Sequence, residues 1–226
     1  MKTIRIVLWA LVIVLSAAVA GVYVGRTFFG GPGQQVAGLS ASFARQGYQE
    51  AGGPFTLLDT DGETVTDKDF ADKPRAMFFG FTHCPDVCPT TLLDAKGWLD
   101  ALGPAADDIY VMFVSVDPAR DTPETLKQYV DAFDPRIVGL TPRTEDEAAA
   151  LAEQYGITFQ KVPLQEGNYT VNHTADTLLF NEKGEFVDFI QYMQPNMRNA
   201  PQVRAAEEAR TIEKLRKLAG APEDNA

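Results

Sequence analysis

The chain has 226 residues, enough for one domain plus additional segments. Its 45% hydrophobic and 23% charged content is that of an ordinary globular protein. A formal charge of −11 argues against nucleic acid as a partner, because that requires a basic face; acidity of this kind aids solubility and names no partner.

Met1 to Arg5 is short and basic, and Ile6 to Val24 is an uncharged, mostly apolar run of 19 residues. That is the length of a bilayer-spanning helix. With Lys2 and Arg5 on the cytoplasmic side, the rest of the chain lies outside the cytoplasm. Ala18-Val19-Ala20 offers a competing reading, a signal peptide cleaved after Ala20 with Ile6 to Leu15 as its apolar core. The run continues through Val22, Tyr23 and Val24, which favours an uncleaved anchor over residues 1–27. Residues 28–53 carry Gly30, Gly31, Pro32, Gly33, Gly38, Gly52 and Gly53 and are expected to form a flexible linker. Residues 54–220 are expected to form the globular domain, followed by a frayed tail at 221–226.

Phe55–Leu58 and Glu63–Thr66 flank Asp59-Thr60-Asp61-Gly62 and predict a hairpin. Ala76–Phe81 predicts a buried strand. A helix follows from Cys88 to Leu102, with Leu92, Leu93, Lys96, Leu99 and Leu102 as its inward stripe and Trp98 partly buried. Ile109–Val116 is apolar enough for a central strand. Thr122 and Pro123 suit the N-cap and first position of a helix running to Phe133. Val138–Leu140 predicts a short strand, and Thr144 caps a helix from Glu145 to Tyr155 that Gly156 ends. Thr170–His173 has no clear pattern. Thr177–Phe180 and Glu185–Tyr192 predict a second hairpin, and Val203–Leu218 an amphipathic helix. Alternating strands and helices, closed by a hairpin and a helix, imply an α/β domain with a mixed sheet.

The only two cysteines stand in Gly80-Phe81-Thr82-His83-Cys84-Pro85-Asp86-Val87-Cys88-Pro89-Thr90. The spacing C-x-x-x-C is one residue longer than the dithiol motif of ordinary thioredoxins. Both cysteines precede proline and are biased away from helical geometry, so Pro89 is expected at the first helical position and Cys88 at or near the N-cap. A thiolate there gains from unpaired N–H groups, which lowers its pKa. Four residues of separation suit a disulfide or a shared metal. A purely structural disulfide would close too small a loop to constrain the unfolded chain much. In open α/β sheets, active groups gather beyond the carboxyl ends of strands, which is where Cys84 falls.

The remaining candidates are less specific. His83 adjoins Cys84 and is expected to tune the thiol or lie in the loop, and Asp86 is expected to form a turn. Asp117, Arg120 and Asp121 follow a central strand and either shape the site as an Asp–Arg pair or recognise a partner. Arg75, Arg136 and Arg143 read as solvated loop residues. Met193 and Met197 are expected to pack in a loop rather than to carry metal.

Gly80 to Leu92 closely resembles the signature of the Sco (SenC/PrrC) copper proteins. Val114-Ser115-Val116-Asp117-Pro118-Ala119-Arg120-Asp121-Thr122-Pro123-Glu124 resembles that family's second signature, and Val171-Asn172-His173-Thr174 occupies the place of its ligand histidine. The resemblance runs in order from about Gly53 to Phe189 and departs from the family at Gln191–Gln202. It implies a thioredoxin-like fold: a mixed sheet flanked by helices, behind an N-terminal transmembrane anchor. It implies Cu(I) or Cu(II) held by Cys84, Cys88 and His173. It implies copper delivery to the CuA site of cytochrome c oxidase subunit II, or reduction of that subunit's cysteines. Periplasmic copper carriers or thiol reductants are further partners it allows. The implied location is a bacterial inner membrane with the domain in the periplasm, or the mitochondrial intermembrane space. Thiolates suit Cu(I) and imidazole suits Cu(II) as well. The alternative from the residues alone is a metal-free periplasmic thiol–disulfide oxidoreductase, with Cys84 attacking and Cys88 resolving.

Overall fold

The computed structural model of the chain describes residues 47–165 and 168–221. The expected anchor, residues 28–46 of the expected linker and residues 222–226 of the expected tail lie outside them. Among the described residues no helix is long and apolar enough to cross a membrane.

Strands β1 (Thr56–Asp59) and β2 (Thr64–Thr66) form the first expected hairpin. Its turn is closed by Asp59 Oδ1, which accepts the N–H groups of Asp61 and Glu63, while Gly62 takes a φ of 80°. β3 (Arg75–Gly80) buries all six of its residues and β4 (Tyr110–Ser115) all but the first. Strands buried on both faces belong at the centre of a sheet. With β5 (Ile137–Thr141), β8 (Thr177–Phe180) and β9 (Phe186–Ile190) they build seven strands in the order β2-β1-β5-β4-β3-β8-β9. β3, β4 and β5 run parallel, and β8 lies antiparallel to β3. Met77, Phe78, Phe79, Met112, Phe113 and Val114 are each at most 3% exposed. Burying side chains of this size stabilises a fold by about 1.5–3 kcal/mol apiece.

Parallel neighbours require a crossover, and helices supply both. α1 (Val87–Leu102) joins β3 to β4, and α2 (Pro123–Asp131) joins β4 to β5. The α2 cap is as expected, with Thr122 accepting the N–H of Thr125 and Pro123 at the first turn. In α3 (Glu145–Gln154), Thr144 accepts the N–H of Glu147, and three acids occupy the first turn, where the helix dipole favours them. Gly156 follows with a φ of 66°.

Helix α1 departs from expectation in two ways. It begins at Val87, with Asp86 at the N-cap position, so Cys88 lies inside the first turn and Pro89 at its third residue. Proline is tolerated there because the first four helical N–H groups have no intrahelical acceptor. The buried stripe is Cys88, Thr91, Leu92, Ala95, Trp98, Leu99 and Leu102, while Leu93 is 60% exposed. Small Thr91 and Ala95, not Leu93 and Lys96, are buried.

A separate two-stranded sheet pairs β6 (Phe159–Pro163) with β7 (Tyr169–His173), the segment without a clear sequence pattern. After β9, a single turn α4 (Pro195–Arg198) precedes α5 (Pro201–Leu218). Arg198 donates to both carboxylate oxygens of Asp94, joining α4 to α1. Arg75 is not a solvated loop residue: it opens β3 and is 3% exposed. Its strand begins one residue earlier than the apolar run.

Candidate metal centre

Cys84, Cys88 and His173 each place one donor atom within 4.8 Å of the others. Three chain features bring them together. β3 ends at Gly80, and Phe81 to Asp86 turns the chain into α1, where the Cys84 N–H donates to the Phe81 carbonyl at 3.2 Å. The Cys88 N–H points back and donates to the Cys84 sulfur at 3.3 Å. β8 runs antiparallel to β3, so the segment entering β8, which carries His173, arrives at the same sheet end as the segment leaving β3. Gly80 allows the closest approach, because a Cβ there would lie 2.9 Å from the Cys88 sulfur and 2.8 Å from the Phe113 ring.

Asp121 anchors the cysteine loop. It is buried and accepts the Thr82 N–H at 3.1 Å, the Thr82 hydroxyl at 2.6 Å and the Ser115 hydroxyl at 2.7 Å. Asp117 anchors the histidine hairpin. It is fully buried, accepts from Arg120 Nε at 2.5 Å and from the Tyr169 hydroxyl at 2.7 Å, and has Lys161 at 3.8 Å. Arg120 also donates to the Tyr169 carbonyl and stacks 3.8 Å over the Tyr169 ring. The Asp–Arg pair was legible from its spacing; Tyr169, 52 residues from Asp117, carried no signal.

His173 is oriented by contacts on both sides of its ring. Nδ1 lies 2.8 Å from the Thr174 carbonyl, which can only accept, so this contact assigns the hydrogen to Nδ1. Nε2 then faces the sulfurs, 3.4 Å from Cys88. Phe78 and Phe81 meet the ring edge-on at 5.9 and 5.8 Å. Ligating histidines characteristically have their second nitrogen fixed in this manner.

The two thiols are electrically unlike. Cys84 is half-buried, and the Cys88 thiol, donating to it, pulls its pKa down to about 4 against the opposing effect of burial. Cys88 is fully buried, and burial followed by the neighbouring Cys84 pushes its pKa well up. The expectation that the helix N-terminus would make Cys88 the acidic thiol is therefore reversed, because desolvation outweighs the helix end. The donor set fits a soft cation: two sulfurs and one imidazole, with the more exposed sulfur on the outer side.

The other candidates stand apart from this cluster. His83 is exposed, with Nδ1 3.0 Å from the Thr82 hydroxyl. Asp86 accepts the Thr90 hydroxyl through its carbonyl at the start of α1. Arg136 is ion-paired to Asp134 and Asp100, and Arg143 donates to the Thr64 hydroxyl. Met193 is half-buried before α4, and Met197 is exposed on it.

A thioredoxin-like α/β domain with two thiols and an imidazole at one sheet end defines the class. The SCO1/SenC family model matches residues 43–208, and the chain belongs to that family. It is 40% identical over 141 residues to human "Protein SCO1 homolog, mitochondrial", covering 61% of this chain and 46% of that one. It is 37% identical over 140 residues to "Protein SenC" of Rhodobacter capsulatus, covering 62% and 63%. The chain thus spans about half the length of the curated relatives it matches. Among solved structures it resembles Bradyrhizobium japonicum ScoI with copper bound, at 42% identity and a TM-score of 0.60, covering 69% of this chain and 98% of that one. Yeast Sco1 with copper bound superposes with a TM-score of 0.64 at 31% identity, covering 78% and 92%.

Proposed function

We propose that this protein is a membrane-tethered copper-binding assembly factor for cytochrome c oxidase. Cys84, Cys88 and His173 carry copper as cargo, and residues 54–220 form the carrier domain. Residues 1–27 anchor it and residues 28–53 tether it on the periplasmic side of a bacterial inner membrane, or the equivalent mitochondrial side. The acceptor is the CuA site of cytochrome c oxidase subunit II. The observation that carries this reading is the convergence of three soft donors within 4.8 Å, from segments 85 residues apart. Copper-bound relatives of the same family support it.

The chemistry of transfer follows from the asymmetry of the donors. Three donors leave the metal open to an incoming ligand, whereas a closed set of four would retain it. Cys84 is the sulfur an acceptor reaches first, since Cys88 is fully buried. His173 presents Nε2 from a hairpin outside the main sheet and is the donor most easily exchanged. Loading requires both sulfurs as thiolates, and of the two it is the buried Cys88 that has a proton to give up.

The test is a Cu(I) titration of the reduced full-length chain in detergent against a competing chelator. One copper per chain is expected, with sharp losses in Cys84→Ala, Cys88→Ala and His173→Ala. Affinity indifferent to His173 overturns the ligand set.

One observation favours a second reading, a thiol–disulfide reductase acting on the acceptor's cysteines. Cys84 is the acidic, accessible thiol and Cys88 the protonated, buried one, which is the asymmetry of an attacking and a resolving cysteine. Here Cys84 attacks an oxidised partner disulfide, and Cys88 then displaces the reduced partner and leaves a Cys84–Cys88 disulfide. That activity survives His173→Ala, so peptide-disulfide reduction by this variant separates the two readings.

A further inference from the structure

The stretch before β1 is packed onto the domain. Tyr48 and Ala51 are each 7% exposed. Gly52 bridges to Glu185, just ahead of β9, and the Tyr155 hydroxyl donates to the Gly53 carbonyl at 3.0 Å. Residues 47–53 thus form a strap. The Tyr48 ring lies against two β9 side chains, Phe186 at 5.8 Å and Phe189 at 5.7 Å. Its hydroxyl donates to Asp176 Oδ2 at 3.1 Å, across a sequence separation of 128. Asp176 Oδ1 accepts the Tyr192 N–H at 3.3 Å. One half-buried carboxylate therefore ties its own segment to the strap and to the chain leaving β9.

That segment adjoins the metal centre. Thr174, Ala175 and Asp176 are the whole connection between β7, which ends in His173, and β8, which begins at Thr177. The Thr174 carbonyl lies 2.8 Å from His173 Nδ1 and sets the orientation of the ring. The Thr174 N–H donates to the Thr158 carbonyl at 2.9 Å, which holds this end of the connection to the hairpin. β8 fixes the backbone from Thr177 onward, and the Asp176 side chain fixes the residue before it. The hairpin lies outside the main sheet, so the direction in which the chain leaves β8 helps to decide where His173 stands.

On the copper reading above, we infer that Tyr48 and Asp176 are positioning residues for His173. Their hydrogen bond holds the connection at residues 174–176, and through the Thr174 carbonyl it keeps Nε2 aimed at the sulfurs. The imidazole is thus supported from the strap as well as from the polar group around Asp117. Groups that orient a ligand histidine govern how tightly its metal is held.

The test compares wild type, Tyr48→Phe, Asp176→Ala and Tyr155→Phe as full-length chains in detergent. Phenylalanine at position 48 keeps the ring packing and removes only the hydroxyl. Tyr155→Phe is the matched control, since it removes the tyrosine bond at the strap's other end. The first readout is the ring-proton NMR signals of His173 in the metal-free protein. The chain has two histidines, so the spectrum of His173→Ala assigns them. Ring currents of Phe78 and Phe81 displace these signals, which makes them a gauge of where the imidazole sits. They are expected to move or broaden in Tyr48→Phe and Asp176→Ala and to stay in place in Tyr155→Phe. The Cu(I) dissociation constant is expected to rise about fivefold in Tyr48→Phe, about tenfold in Asp176→Ala, and not at all in Tyr155→Phe. A wild-type dissociation constant in both Tyr48→Phe and Asp176→Ala overturns the inference, as do ring signals that stay in place in both. An equal rise in Tyr48→Phe and Tyr155→Phe also overturns it, because the loss then belongs to the stability of the strap. If Tyr48→Phe does not fold, Asp176→Ala decides by the same criteria. A wild type that binds no copper overturns the copper reading, and the metal-free ring signals then decide by themselves whether Tyr48 and Asp176 position His173.

Discussion

The cysteine loop and the histidine hairpin reach the same point by different means. The cysteine loop is an extension of the core: β3 enters it fully buried, α1 leaves it, and Cys88 packs inside. The hairpin β6–β7 belongs to no part of the main sheet and is held by the polar group of Asp117, Arg120, Tyr169 and Lys161. Core packing is rigid, whereas a few polar links hold a position without removing its freedom. The candidate metal centre thus joins a half built from the core to a half tied on largely by polar links, and on the proposed function the second is the half expected to adjust when cargo is surrendered.

The largest expected effect tests the fixed half. Asp121→Ala leaves the Thr82 N–H and the Ser115 hydroxyl without their acceptor, at a cost of about 3 kcal/mol in urea unfolding. Copper binding should fall with it; unchanged stability would show that the loop is held otherwise. Gly80→Ala forces a methyl against Phe113 and the Cys88 sulfur, at a cost of about 2 kcal/mol. Copper loss in this variant should exceed what its stability loss explains, because the sulfur itself is displaced.

Smaller effects are expected in the adjustable half. Tyr169→Phe removes one hydrogen bond to Asp117, at about 1 kcal/mol. Amide exchange should accelerate in β6 and β7 and remain at wild-type rates in β3 and β4; uniform acceleration would show that the hairpin is part of the core after all. Asp134 provides a control outside both halves. Its carboxyl is held down at about 2, chiefly by hydrogen bonds from the Arg136 guanidinium. The folded value lies below the unfolded one, so the stability it contributes is complete above about pH 4 and is lost as pH falls toward 2. Asp134→Asn should cost about 1 kcal/mol at neutral pH, discounted because Arg136 is 40% exposed, and the difference from wild type should vanish near pH 2. Copper affinity should not change.

The fixed half was legible in the sequence and the adjustable half was not. Apolar runs, prolines and threonine caps are local signals, and they located β3, β4, α2 and α3 within a residue or two. Leu92, Leu99 and Leu102 of the expected α1 stripe are buried, but Leu93 and Lys96 give way to Thr91 and Ala95, because hydropathy ranks Leu93 above residues whose small size lets them pack. The Phe159–Pro163 strand contains Gln160, Lys161 and a terminal proline and shows no strand pattern. Its pairing with Tyr169–His173 is settled by side chains about 50 residues away, which periodicity does not register. His173 was found through resemblance to a family, and its orientation by Thr174, Phe78 and Phe81 only in three dimensions.

The sequence separation of 85 between Cys88 and His173 also orders events in time. Closing a loop of that length in a disordered chain is entropically costly, and contacts so distant in sequence form late. The nascent polypeptide therefore exposes two neighbouring thiols but no complete ligand set. On the proposed function, three-donor affinity appears only after β3, β8 and the hairpin have assembled, so full-strength capture of the ion would itself report that folding has finished.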